Sequence, residues 1–166
     1  MTSIVIMGVA GCGKSSLGAA VAAALRLPLI EGDHFHRPAN VDKMRAGVPL
    51  TDADRDGWLQ ALGDELQRHP GGAHLTFSAL RRAYRDRLRA ASPSLRFVHL
   101  VLSPEEAHAR VSTRAGGHYF GPTLVKSQFE TLEVPVGEPD VLSLDATLAP
   151  DRLLARVVAW AQEFAA

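Results

Sequence analysis

Eight residues near the start of the chain, Gly8-Val9-Ala10-Gly11-Cys12-Gly13-Lys14-Ser15, fit the pattern G-x-x-x-x-G-K-[ST], and no other feature of the sequence restricts the fold as much. Directly before them runs Ser3 to Met7 (SIVIM), a short apolar stretch rich in β-branched residues that reads as a buried parallel strand. Directly after them, Leu17, Val21, Ala24 and Leu25 recur at helical spacing between Ser15 and Arg26. A strand, a glycine-rich turn and a helix in immediate succession make a phosphate cradle. The glycines let successive backbone N–H groups turn inward, and the helix points its N-terminus at the same anion. In that frame Lys14 reaches the β- and γ-phosphates of a nucleotide and Ser15 offers its hydroxyl to Mg²⁺. The expected ATP-binding set is Gly8, Val9, Ala10, Gly11, Cys12, Gly13, Lys14, Ser15 and the adjoining Ser16, with Cys12 read as a small residue that the loop tolerates.

The rest of the chain alternates strand-like and helix-like segments. Leu29-Ile30, Ala73 to Phe77, Phe97 to Leu102 and Val141 to Leu144 read as strands. Between them, Asn40 to Ala46 fits a short helix, and Thr51 with Asp54 forms a capping box for a helix that buries Trp58, Leu59, Leu62 and Leu66. Ala79 to Ala90 is an arginine-rich helix, and Ser103-Pro104-Glu105-Glu106 is a strong helix start. Thr123 to about Leu132 and Asp151 to Phe164 complete the helices. Alternation of this kind implies an α/β fold of three layers, with a five-stranded parallel sheet covered by helices on both faces. Together with the phosphate loop it gives a P-loop NTPase fold, read as one domain over residues 1–166, with a small lid at about 110–122 hinged at Gly116-Gly117.

Charge and cysteine content narrow the setting. Lys plus Arg is 18 and Asp plus Glu is 18, so the net charge is zero, whereas a nucleic-acid or anionic-membrane partner calls for a basic excess. Neither partner is expected. Cys12 stands alone and cannot form an internal disulfide. The longest apolar run, Ala19 to Leu25, is far short of the roughly 18 residues of a membrane span. No basic segment precedes the first strand as a secretory leader would require, so a cytoplasmic location is expected.

The phosphate loop is shared by switches, motors and small-molecule kinases. A D-x-x-G switch and an N-K-x-D guanine motif are missing; Asn40-Val41-Asp42-Lys43 has the letters in the wrong order and too early. The third strand ends in Ser78 without a carboxylate. The acids come instead after the second strand, in Glu31-Gly32-Asp33-His34-Phe35-His36. Two carboxylates two residues apart, facing the loop, can divide the work: one holds Mg²⁺ through water, the other orients or deprotonates an acceptor hydroxyl. His34 and His36 have no second ligand cluster at a sensible spacing, so no transition-metal site is expected.

Five blocks in order along nearly the whole chain resemble thermoresistant-type gluconokinases, in the shikimate kinase and adenylate kinase branch of the P-loop kinases. They are GVAGCGKS from Gly8, EGDHFHRPANVDKM from Glu31, GVPLTDADRDGWL from Gly47, SALRRAYRDRLR from Ser78, and GGHYF through SQFETLE from Gly116. The resemblance implies transfer of the γ-phosphoryl group of ATP to the 6-hydroxyl of D-gluconate, with Mg²⁺ and a homodimeric assembly. The chain departs from the family pattern at Glu31, where an aspartate is usual, and at Phe77 and Arg81, where the family has cysteine and lysine.

Roles follow from that reading. Asp33 is the first choice to orient the attacking hydroxyl or receive its proton, His36 to hold the polyol, and Ser15 with Glu31, through water, to hold the metal. A substrate carboxylate calls for arginine. Arg81 and Arg82 sit at a helix start, where the dipole disfavours cations, and Arg81, Arg85 and Arg89 share a stripe; Arg87 and Arg89 read as a solvated face. Arg55 has the same conflict with its helix, so Arg55, Arg81, Arg82 and Arg85 are the carboxylate candidates. Arg110 and Arg114, four apart in the lid, are expected to close over ATP and stabilise the transferring charge, with His118 near substrate. Gln128 and Glu133 lie in a matching block, but no chemistry singles either out. Two rival readings remain open: a kinase for another small hydroxy acid such as shikimate, and a nucleotide switch with no acceptor. Asp33 and the arginine set favour a kinase.

Overall fold

The computed structural model describes residues 2–113 and 122–165. Five strands form one sheet: β1 (Ile4–Met7), β2 (Leu29–Glu31), β3 (His74–Thr76), β4 (Arg96–Val101) and β5 (Val141–Asp145). Their order is β2-β3-β1-β4-β5, and every neighbouring pair is parallel. Parallel strands need crossover connections, supplied by α1 (Lys14–Leu25), α2 (Pro38–Arg45), α3 (Asp52–Gln67), α4 (Arg82–Ala91), α5 (Pro104–Thr113) and α6 (Pro122–Thr131); α7 (Pro150–Gln162) follows the last strand.

Alternation along β1 shows how the three layers form. Ile4 and Ile6 point into one core with Leu17 and Val21 of α1, Ala107 of α5, Val125 of α6, and Leu153 and Val157 of α7. Val5 and Met7 point the other way, into a second core with Trp58, Leu59, Leu62 and Leu66 of α3 and with Tyr84 and Leu88 of α4. All four side chains of β1 are buried, as a strand covered on both faces requires. Each large apolar residue of α3 contributes on the order of 1.5–3 kcal/mol by leaving water. The capping box is present: Asp54 N–H donates to Thr51 Oγ1 at 3.2 Å and Thr51 N–H to the Asp54 carboxylate at 2.9 Å. At the start of α5, Glu106 N–H likewise donates to Ser103 Oγ at 3.2 Å.

Two expected boundaries move. The arginine-rich helix begins at Arg82, three residues later than the sequence pattern indicates, because Ala79 takes a left-handed backbone (φ 50°) that a helix cannot continue through. A 3₁₀ turn over Gly32–Phe35, which hydrophobic periodicity did not indicate, follows β2. Among the described residues no helix is long and apolar enough to cross a membrane. Because the strands are parallel, the loops after β1, β2 and β3 leave one edge of the sheet together, the edge where open α/β sheets bind ligands.

Candidate active site

The loop after β1 is built for close approach. Gly8, Gly11 and Gly13 all have positive φ (148°, 82° and 96°). A Cβ on Gly8 would stand 2.7 Å from Cys12 Sγ and 2.9 Å from the Leu100 carbonyl oxygen, so no side chain fits there. The ammonium of Lys14 donates to the carbonyls of Gly8 (3.0 Å) and Val9 (3.1 Å), which keeps it over the loop. Arg110, from the last turns of α5, donates to the Gly11 carbonyl at 3.1 Å and to the Ala146 carbonyl at 3.2 Å. It therefore spans from the phosphate loop to the loop after β5. Ser15 and Ser16 are exposed at the start of α1, and Cys12 is buried.

Glu31 ends β2 and faces this loop. One oxygen of its carboxylate accepts from Ser15 Oγ at 3.2 Å and from Thr76 Oγ1, at the end of β3, at 2.5 Å. The extra methylene relative to aspartate thus lets the carboxylate span from the phosphate-loop serine to β3. Hard oxygen donors of this kind suit Mg²⁺, which is bound by one or two protein oxygens with the remainder from water and phosphate. The next residue, Gly32, lies against β3 so closely that a Cβ would fall 2.2 Å from the Thr76 carbonyl oxygen. That contact sets where the 3₁₀ turn leaves the strand, and with it Asp33 and His36.

Asp33 is half-exposed, its carboxylate 3.8 Å from His36 Nε2. His36 is 1 % exposed and lies against Trp58, the ring centroids 3.7 Å apart, while the Trp58 indole N–H donates to the Gly32 carbonyl at 2.8 Å. Burial, and secondly the neighbouring Arg55 guanidinium, lower the His36 pKa to about 4. The imidazole is therefore neutral at pH 7, and its contact with Asp33 is neither an ion pair nor a hydrogen bond. Both of its ring nitrogens are buried without a hydrogen-bond partner among the described residues. Phe77, at the departure from the family pattern, packs edge-on against Trp58, with centroids 4.7 Å apart, and so supports the indole that carries His36.

His36, Arg55, Trp58, Ser78, Leu124 and Gln128 are among the residues lining one cleft. Arg55 donates to Tyr84 Oη at 3.2 Å, and the Tyr84 hydroxyl donates to Asp52. The guanidinium groups of Arg55 and Arg81 each stand 4.0 Å from that same Asp52 carboxylate. The hydrogen bond from Tyr84, joined by the two arginines, lowers the Asp52 pKa. Arg55 and Arg81 thus converge on one place from α3 and from the residue that caps α4.

Of the carboxylate candidates, Arg85 is corrected. It is fully buried, and all five of its donors are committed: Nε and Nη2 to Glu138 at 3.0 and 2.6 Å, Nη1 to the Ala79 and Leu80 carbonyls at 2.6 and 3.2 Å, and Nη2 also to the Glu133 carbonyl at 2.9 Å. Burial pushes the Glu138 pKa up, but the hydrogen bonds from Arg85 and then Arg89 outweigh it and the net shift is downward. Arg85 is a strut that holds Ala79 in its left-handed turn and so presents Ser78 and Leu80 to the cleft. Arg89, read as solvated, shares Glu138 at 3.0 Å. Arg82 pairs with Asp86 at 3.6 Å on the outer face of α4, outside the cleft lining. Arg87 bridges to Asp56 of α3 at 2.6 Å. Arg114, His118 and the Gly116-Gly117 hinge lie outside the described residues.

Gln128 is the residue that sequence reasoning passed over. It is buried on α6 and its amide oxygen accepts from the Ala10 N–H of the phosphate loop at 2.6 Å.

No protein-family model matches the chain. Individual proteins do. The sequence is 40% identical over 158 residues to a gluconokinase of Gluconobacter oxydans, covering 93% of this chain and 88% of that one. It is 41% identical over 145 residues to the thermoresistant gluconokinase of Escherichia coli, covering 85% and 82%. The chain belongs to the gluconokinase family. A crystal structure of a gluconokinase from Sinorhizobium meliloti superposes with a TM-score of 0.87 at 42% identity, covering 95% of this chain and 90% of that one. A shikimate kinase from Aquifex aeolicus shares the fold at a TM-score of 0.61 and 15% identity.

Proposed function

We propose that this protein transfers the γ-phosphoryl group of ATP to the 6-hydroxyl of D-gluconate, giving ADP and 6-phospho-D-gluconate. The observation that carries the proposal is the single cleft that joins Gln128, bonded to the phosphate loop, with His36 and Arg55. A sugar acid needs such a layout: a reacting hydroxyl near the phosphate loop, neutral groups along the polyol, and a cationic end for the carboxylate.

In this reading Asp33 orients the 6-hydroxyl and takes its proton. Phosphoryl transfer asks mainly for positioning and charge neutralisation, so an ordinary carboxylate is sufficient. Neutral His36 accepts from or donates to a polyol hydroxyl through a nitrogen that has no hydrogen-bond partner among the described residues. Arg55 and Arg81 bind the substrate carboxylate, exchanging part of their attraction to Asp52 for it. Lys14 and Arg110 carry the charge of the transferring group, and Arg114 is assigned the same role. Ser15, and Glu31 through water, would hold Mg²⁺, which would supply further neutralisation of the phosphate oxygens. The protein is taken to act in the cytoplasm as a homodimer.

The test is ADP release with Mg-ATP against D-gluconate, shikimate, AMP, glycerate and no acceptor. Stimulation by gluconate alone is expected. Stimulation by another acid would keep the kinase and move the substrate; ADP release that ignores every acceptor would make the chain a nucleotide hydrolase or switch. Light scattering on the same sample tests the dimer.

A further inference from the structure

Gln128 is held in one orientation by an unambiguous partner. The Ala10 backbone N–H can only donate, so the side-chain atom 2.6 Å away is the amide oxygen. The amide nitrogen is then the other branch, and its two N–H donors have no hydrogen-bond partner among the described residues, while the residue lines the cleft beside Ser78, Leu124 and Ser127. A primary amide in a cleft lining, fixed through its oxygen and with its donors uncommitted, is a preorganised recognition element. Its location is equally informative. Through Ala10 it is tied to the phosphate loop, so it belongs to the reacting end of the cleft, whereas Arg55 and Arg81, both beside Asp52, supply the cationic end.

We propose that Gln128 is a specificity-determining residue: its amide NH₂ donates to a hydroxyl of the acceptor close to the reacting one, on carbon 4 or 5 of the aldonate. This rests on the gluconate reading above. The same side chain thereby ties acceptor recognition to the geometry of the phosphate loop, because an acceptor pulling on the nitrogen acts on the oxygen that steadies Ala10. The donors have no role toward an acceptor without a hydroxyl there, so the residue discriminates polyol acids from shorter or deoxygenated ones.

The test compares D-gluconate with its 2-, 3-, 4- and 5-deoxy analogues in the native protein, in Gln128→Met and in Gln128→Glu. The native protein is expected to prefer gluconate over the 4- or 5-deoxy analogue by about five- to tenfold in kcat/KM, as for one hydrogen bond. In Gln128→Met that preference collapses to near unity at the one position, while discrimination at the remaining hydroxyls stays. Any damage to the phosphate loop affects all acceptors alike and cancels in the ratio. Gln128→Glu keeps an oxygen for Ala10 but loses the donors, so it protects the fold and is expected to lose the same preference. If either variant is slower on gluconate and every analogue by one common factor, Gln128 is only a brace for the loop and the proposal is wrong. If the native protein turns over Mg-ATP without any response to gluconate, the substrate reading falls and takes this one with it.

Discussion

The phosphate loop and the acceptor cleft are made of different material. The loop is backbone: three glycines at positive φ, carbonyls that hold Lys14, and a helix start, all within eight consecutive residues. The cleft is side chain, gathered from the turn after β2, from α3, from the loop after β3 and from α6. Backbone sites depend on conformation and survive most changes of composition. Side-chain sites depend on packing partners far away in sequence, so their contributions are spread over many residues, each worth less. The separation explains how unrelated acceptors can be served by one nucleotide-binding frame, as the low-identity resemblance to a shikimate kinase illustrates at the level of fold.

That contrast can be broken most directly at Lys14. Lys14→Ala should lower kcat by about 10²–10³-fold, with an unchanged circular dichroism spectrum and melting temperature; near-normal turnover would remove the loop from the chemistry. Next in size is the strut behind the cleft. Arg85→Met leaves the buried Glu138 with Arg89 alone and strips the Ala79, Leu80 and Glu133 carbonyls of their donor, which should reduce stability by about 3–5 kcal/mol in urea denaturation. A variant of full stability with only a raised gluconate KM would return Arg85 to the cleft. Asp33→Asn should reduce kcat by about 10²-fold at unchanged KM for ATP; a loss confined to ATP affinity would instead place Asp33 with the metal. Arg55→Ala should raise the KM for gluconate by about tenfold or more and leave that for ATP within about twofold.

A separate effect concerns pH. His36, His74 and His99 are all buried, and burial, with minor help from Arg55 at His36 and Arg85 at His99, lowers each pKa to about 4. Their unfolded values lie near 6.5. The folded state therefore binds fewer protons, so the stability is present above pH 6.5 and lost as pH falls towards 4. The urea midpoint should be lower at pH 5 than at pH 7.5, and His74→Leu, whose side chain titrates in neither state, should flatten that slope.

Much of this architecture was legible in the sequence, and the reason is locality. β1, the phosphate loop and α1 follow one another, and the caps at Thr51 and Ser103 each close within three residues. Asp33 and His36 were nominated because their residue types after the second strand fit an acceptor site, and Arg55 because a cation near a helix start is unfavourable without an anion to meet. Arg85 was misread because its helical stripe is visible locally, whereas its partner Glu138 is 53 positions away. Gln128 was invisible for the same reason, since the N–H that explains it is 118 positions away. The 3₁₀ turn escaped because its cause is the tight approach of Gly32 to Thr76, a contact between strands that share no sequence neighbourhood.

The stacking of Trp58 on His36 gives the molecule an optical reporter of its own working end. There are two tryptophans, and the other, Trp160, sits on α7 against Phe164. With Trp160→Phe, all indole emission comes from a ring in contact with the acceptor cleft and with the turn that carries Asp33. Arrival of a sugar acid would then be visible as a change in fluorescence without any turnover, and rapid mixing could time acceptor binding separately from phosphoryl transfer.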